Sequence, residues 1–467
     1  VTIDVLPDDV LVDIFTFYVN IDDFSWDSPR NTWHALVHVC RRWRYLVFAS
    51  PRRLNLRLAY GGHGPMSEVL DAWPVLPVML ISGLADSYQR WCNWVAALES
   101  EHYHRICEIR ISGMTHLRWG GFIAAMKKPF PELTHLEVSV YVYRFVEPVL
   151  PDSFLGGSAP RLRELTLRST PFPSIPKLLL SANGLVKLTL LDIPDSGYIS
   201  PDAMATALTV MTRLKTLDLQ FRSPRSLSDS TSRPLPPPTR FVLPALTELR
   251  FRGVYEYLED LLARIDAPFL YHLHIIFFTN PNLDFPQLRR LISNAGDFKE
   301  FDHGGVLILH SSIQLSLYPK TEEVNHRTLL KLQIDCGGLD RQLSSLAHVC
   351  SSSLPLTGIS TLEVLEIREY DYITSLFWKD DMDNAQWMEL LDQFTALKNL
   401  YLTRGVTHRV FRALQGLSGE RATEVLPALR NLFVRTPSLE PAQEAIRSFV
   451  AARRLSGRPV AIDHWRI

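Results

Sequence analysis

Side chains able to carry out chemistry are thinly spread in this 467-residue sequence. His34 and His38 stand four apart on an expected helix, the spacing at which two imidazoles can share a zinc ion. Ala35, Leu36 and Val37 fill the interval, so the glutamate of a His-Glu-x-x-His helix is missing. His102 and His104, and again His272 and His274, alternate on strand-like stretches. Each pair can share a face, but no cysteine or acid is spaced to complete a metal site. Asp380, Asp381 and Asp383 read as a solvated acidic loop. The five cysteines (Cys40, Cys92, Cys107, Cys336 and Cys350) form no Cys-x-x-Cys pair and read as reduced, buried thiols. Gly-x-Ser-x-Gly, P-loop and Gly-x-Gly-x-x-Gly patterns are missing. The expectation is a non-catalytic protein with no catalytic, metal or cofactor-binding residues.

Composition narrows the classes further. A hydrophobic fraction of 46% with 21% charged residues is that of a globular chain. A net charge of -1 lacks the basic excess that nucleic acid or a membrane surface would require. The sequence has no Asn-x-Ser/Thr acceptor and no secretory-leader pattern. Its most apolar stretch, Ala72 to Ala85, is broken by Pro74 and Pro77 and is too short for a bilayer. These features point to a soluble protein of the cytoplasm or nucleus, with no nucleic-acid or membrane partner.

The elements that must position any functional side chain come from a repeat. A phrase Leu-x-x-Leu-x-Leu, with conservative swaps, recurs down the chain. Ile106/Ile109/Ile111, Leu162/Leu165/Leu167, Leu214/Leu217/Leu219, Leu246/Leu249/Phe251, Leu362/Leu365/Ile367 and Leu429/Leu432/Val434 are examples. A degraded copy, Phe298/Phe301, sits in the one wide gap. Copies lie roughly 23 to 35 residues apart, the length of one strand plus one return. The last two apolar positions are two apart and face the same side of a short strand. One unit cannot bury that side alone; parallel stacking of neighbours makes a continuous core. Several returns read as helices, among them Asp86–Ser100, Asp202–Thr212, Tyr257–Ile265, Ala385–Phe394, His408–Leu417 and Pro441–Arg454. Ser223 to Arg240, rich in Ser, Pro and Arg, reads as a disordered insert.

This phrase resembles the leucine-rich-repeat family, from about Leu76 onward. The resemblance implies a horseshoe solenoid, with parallel strands on the concave face and helices or irregular returns on the convex one. The family's asparagine or cysteine three residues beyond the third apolar position is replaced by Tyr141, Thr170, Ile193, Arg222, Gly337 and Pro437. Irregular turns are therefore expected. Side chains between the leucines would line the target-facing surface, where Arg250, Arg252, Arg368, Arg404 and Arg435 lean basic and Tyr401 and Phe433 offer aromatic anchors. Such a surface suits an acidic or phosphorylated peptide.

The first sixty residues follow a different pattern. Pro7, Asp8 and Asp9 suit a first helical turn, and Val10, Leu11, Ile14, Phe15 and Tyr18 follow at helical spacing. A polar break precedes a second helix expected over Thr32 to Ser50, with Trp33, Leu36, Val37, Cys40, Trp43, Leu46 and Val47 on one side. Leu6-Pro7 with Val10-Leu11 and Ile14-Phe15, then Val39-Cys40-Arg41-Arg42-Trp43 and Ser50-Pro51, resembles an F-box over about residues 3 to 58. The insertion at Ile21 to Asn31 is longer than the commonest form.

That resemblance implies a helical hook on a Skp-family adaptor, and through it a cullin, with contacts at Leu6, Pro7, Val10, Ile14, Val39, Cys40 and Trp43. The organisation expected is an α/β chain. Residues 1–60 form the F-box and 61–467 the repeat solenoid, interrupted at about 223–240. Its function would be that of the substrate-recognition subunit of a Skp–cullin–F-box ubiquitin ligase. The alternative is a repeat scaffold without a ligase, its leading helices capping the solenoid.

Overall fold

The computed structural model describes residues 5–19, 32–51, 53–72, 76–83, 87–141, 149–171, 177–224, 240–278, 285–295, 298, 301–309, 311–319, 329–335, 342–350, 357–369, 384–415, 423–435 and 443–464. The loop at 21–31, most of the insert at 223–240, Cys336 and the Asp380–Asp383 cluster lie outside these residues. The chain forms two compact units, Val1–Tyr198 and Ile199–Ile467. The boundary expected at 60/61 lies inside the first.

The first unit begins with helix α1 (Asp8–Val19), whose two leading acids complement the positive end of its dipole. The single helix expected over 32–50 is two helices, α2 (Thr32–Val37) and α3 (Arg41–Ala49). Cys40 makes the break. Its backbone is extended (φ -155°, ψ 171°), and its Sγ accepts the Trp43 N–H at 3.4 Å, capping α3. The apolar rhythm runs through this break in phase, and a thiol is not among the usual capping residues, so periodicity alone hides it. Arg42 ties α3 to the start of α1 through the Asp8 carboxylate and the Leu6 carbonyl, both at 2.6 Å.

Six strands follow: β1 (Leu58–Tyr60), β2 (Val78–Ser82), β3 (Ile106–Met114), β4 (His135–Val140), β5 (Glu164–Arg168) and β6 (Lys187–Ile193). They pair in parallel and in chain order, with Leu136, Leu165 and Leu188 in one lateral row. The phrase leucines are buried as the repeat requires. Helical returns include Tyr88–Glu99, whose first turn is capped by the Ser87 hydroxyl. One local expectation fails. His102 and His104 sit on a 3₁₀ turn (Glu101–Arg105), not on a strand, with ring centres 6.4 Å apart.

The second unit carries β7 (Thr216–Phe221), β8 (Phe241–Val242), β9 (Glu248–Gly253), β10 (Ile265–Asp266), β11 (His272–Phe277), β12 (Phe301–Ile308), β13 (Ser312–Pro319), β14 (Leu330–Asp335), β15 (Val364–Glu369), β16 (Asn399–Thr403), β17 (Asn431–Arg435) and β18 (Ala461–His464). Its main sheet runs β7-β9-β11-β14-β13-β12-β15-β16-β17-β18; β8 and β10 pair separately. Helices Pro201–Leu208, Tyr255–Leu262, Asn384–Leu391, Arg404–Gln415 and Gln443–Leu455 match the expected returns to within a few residues.

The wide gap in the sequence repeat contains a departure. β12 and β13 form an antiparallel hairpin, and β13 is also antiparallel to β14, so a three-stranded meander interrupts the parallel stack. β14, not β12, lies beside β11, and β12 lies beside β15. Alternating apolar residues on either side of Leu309–Ser312 carry the hairpin signal, Val306 and Ile308 before it and Ile313, Leu315 and Leu317 after it.

The strand entries are closed by main-chain bonds alone. The carbonyl just ahead of a strand accepts two N–H groups from the next repeat. Thr134 O accepts from Arg163 and Glu164 at 2.8 and 3.0 Å, and Arg163 O from Val186 and Lys187 at 2.7 and 3.0 Å. Lys215 O, Glu363 O and Lys398 O do the same further along. Each carbonyl uses both lone pairs, so each strand entry is satisfied without a special side chain.

Candidate functional site

Two surfaces stand out, one in each unit. The first is the outer side of α1. Leu11, Val12 and Phe15 point into the helical module, where Phe15 lies 4.7 Å from Trp43 between ring centres. Val10, Ile14 and Phe17, at spacings of four and three, form a stripe on the opposite side and are 41%, 42% and 80% exposed. A helix apolar on both sides is normally buried on both. Tyr45 and Phe48 on α3, and Val39 in the turn before it, add exposed apolar surface.

The seven residues expected at an adaptor contact divide accordingly. Pro7, Val10, Ile14 and Val39 are exposed, whereas Leu6, Cys40 and Trp43 are half-buried. Cys40 is also occupied as the cap of α3, and Trp43 packs on Phe15. Phe17 and Tyr45 were not among the seven. Phe17 continues the stripe one turn beyond Ile14, a signal the sequence does contain.

The module is locked to the first repeats by a short relay. Trp33 Nε1 donates to the Arg57 carbonyl at 3.0 Å, and the Arg57 guanidinium meets Glu108 at 2.5 Å. Glu108, on β3, is 1% exposed and also pairs with Arg110. A carboxylate so deeply placed needs both cations to offset its lost hydration. Nearby, a hydrogen bond from His135 holds the Glu164 carboxyl below its ordinary pKa, while burial pushes Glu137 up.

The second surface is the polar side of the sheet in the second unit. Glu366, Tyr401 and Phe433 lie in one lateral row across β15, β16 and β17. Tyr401 and Phe433 stack at 4.3 Å with their planes 9° apart. Beside them the Asn431 amide donates to Asn399 Oδ1 at 2.8 Å. Arg368 pairs with Glu366, which holds its guanidinium pKa above the ordinary value, and Arg435 is exposed at the end of β17. The fold thus gathers Arg368, Tyr401, Phe433 and Arg435 into one aromatic and cationic patch. The Arg404 side chain lies outside the described residues.

Arg250 and Arg252 do not join that patch. They lie on β9, five strand spacings from β15, or roughly 24 Å along the sheet. Arg250 pairs with Glu248 at 2.5 Å, and Arg252 approaches Asp335 at 3.8 Å and the Phe278 ring at 5.1 Å. His272 and His274 share the polar face of β11, as their alternation implies. A cavity of about 450 Å³ at the leading ends of β16 and β17 is lined by Lys398, Arg430 and Arg458 among others. Lys398 is neutralised there by Glu363 at 2.6 Å.

Among the described residues no group of three or more His, Cys, Asp or Glu is placed to hold a metal ion. His34 and His38 remain a pair, and burial and His38 together lower the His34 pKa. No described helix is long and apolar enough to cross a membrane.

Comparison with known proteins adds little. No family model matches the chain, and no curated protein matches it significantly. Among solved structures, the leucine-rich repeat-containing protein LegL7 from Legionella pneumophila aligns with 84% of this chain and 96% of its own. The identity is 11% and the TM-score 0.26, so the fold assignment rests on this chain's own registers. Those registers, with a buried leucine phrase on strand after strand and a helix on many returns, make the architecture leucine-rich-repeat-like.

Proposed function

We propose that this chain is the substrate-recognition subunit of a Skp–cullin–F-box ubiquitin ligase. Its leading helices dock a Skp-family adaptor, and its repeats hold a target protein. The observation that carries this reading is α1, which is apolar on both sides with only one side covered. Contiguous exposed apolar side chains on a small helical module mark a surface for another protein. The chain itself does no chemistry in this scheme. It raises the effective concentration of the target near the transfer machinery, in the cytoplasm or nucleus. The target would rest on the patch built by Arg368, Tyr401, Phe433 and Arg435.

A second reading is a repeat scaffold without a ligase, and the relay from Trp33 through Arg57 to Glu108 favours it, because it is how a cap would be fastened. Co-purification separates the two. The ligase reading expects the chain to retain a recombinant Skp-family adaptor at micromolar concentration. Failure to do so, with the protein folded, leaves the scaffold.

A further inference from the structure

The meander that interrupts the parallel stack brings together three polar side chains with hydrogen-bonding capacity left over. Its register sets His274 of β11 beside Lys331 of β14, and Lys331 beside Ser316 of β13. The three side chains share the polar face, on strands about 4.8 Å apart. Lys331 is half-buried and has no acidic partner among the described residues. The Nε2 atom of His274 is buried without a hydrogen-bond partner. Ser316 is almost wholly buried; its Oγ accepts from the Gln314 amide at 3.0 Å, leaving its own proton to donate. The nearby acids are engaged elsewhere, Glu248 with Arg250 at 2.5 Å and Asp335 with the Gln333 amide at 2.9 Å.

We propose that Lys331, His274 and Ser316 form a binding site for a phosphate monoester on the polar face of the second unit. This deepens the receptor reading and rests on it, since the phosphate would be carried by the target. Buried donors without an acceptor are costly, and an ammonium without a counter-ion adds to that cost. A phosphate monoester brings three acceptor oxygens and up to two negative charges, enough for an ammonium, an imidazole N–H and a hydroxyl together. A carboxylate brings a single charge on two oxygens in one plane, and so offsets an ammonium and an imidazolium less fully than a phosphate does.

The electrostatics of His274 supply the readout. The charged and titratable groups facing it are Lys331, Arg250, His272 and Glu248, and burial with the first two cations pushes its pKa down to about 4. An anion seated beside it favours the imidazolium and reverses that shift.

The test uses the full chain with histidine rings isotopically labelled, the His274 resonance being the one lost in His274→Gln. Its pH titration is recorded alone, with inorganic phosphate, with O-phosphoserine, and with acetate at matched ionic strength. Phosphate and phosphoserine should raise the His274 pKa by about one unit or more. Acetate should not, and Lys331→Met, or Lys331→Gln if the first is poorly folded, should abolish the shift. No shift with phosphate, an equal shift with acetate, or a shift that survives loss of Lys331 overturns the site. Adaptor binding measured on the same preparation keeps the two ideas apart. Adaptor binding without a phosphate effect removes this site alone, and a phosphate effect without adaptor binding removes the ligase reading alone.

Discussion

Replacing the outer stripe of α1 is the most direct perturbation of the receptor reading. In the triple variant Val10→Ser, Ile14→Ser, Phe17→Ser, none of the changed side chains belongs to the buried set of Leu11, Val12 and Phe15. Burying an aliphatic or aromatic side chain of this size stabilises a complex by about 1.5–3 kcal/mol when the whole side chain leaves water. Scaled by exposures of 80% for Phe17 and 42% and 41% for Ile14 and Val10, the stripe supplies about 2, 1 and 1 kcal/mol. The sum, about 4 kcal/mol, corresponds to a roughly thousandfold loss of adaptor affinity. Folding should be nearly unaffected, because exposed substitutions of this kind usually change stability by less than about 0.5 kcal/mol. Titration calorimetry against a recombinant Skp-family adaptor measures the first quantity and thermal unfolding the second. An adaptor affinity within threefold of the parent, with an unchanged unfolding curve, would refute the assignment of this stripe to the interface.

Other perturbations probe the frame that holds the surfaces. Glu108→Gln strands the guanidinium groups of Arg57 and Arg110 around a neutral amide and should cost about 2–3 kcal/mol, read as a lower unfolding midpoint in urea. Gly62→Ala places a Cβ 2.5 Å from the Arg90 carbonyl oxygen at a residue with φ +76°. A loss of at least about 2 kcal/mol is expected, with faster amide exchange in the first repeats. His274, with its pKa near 4 against 6.5 when unfolded, binds fewer protons in the native state than in the unfolded one between those values. Its contribution is whole above pH 6.5 and is lost as pH falls towards 4. After allowance for partial exposure it amounts to about 1–2 kcal/mol, and the acid sensitivity should shrink in His274→Gln.

Much of the frame is legible in the sequence because a leucine phrase constrains both spacing and direction. Leu165, Leu188, Leu217, Leu365 and Leu432 all fall on buried strand positions, as two-residue periodicity requires. Helical returns are legible to within a few residues where a serine cap or a proline marks the start, as at Ser200 and Pro201. What escapes is non-local or chemically unusual. The Cys40 cap leaves the apolar rhythm in phase, and the order β14-β13-β12 depends on which strand closes against β11, a choice no local pattern encodes. The aromatic pair of Tyr401 and Phe433 is readable because corresponding positions in neighbouring repeats become lateral neighbours. Lys331 beside Ser316 is not, because those two positions meet only through the antiparallel meander.

The main-chain sealing of the strand entries has a consequence for how such a molecule can change. Here the partners are a carbonyl and two amide hydrogens that every residue except proline can supply. Substitution at the coil boundary therefore leaves the hydrogen bonding intact, and neighbouring repeats can drift in sequence and length independently. A surface assembled from such repeats is free to be rewritten one coil at a time while the stack beneath it stays closed.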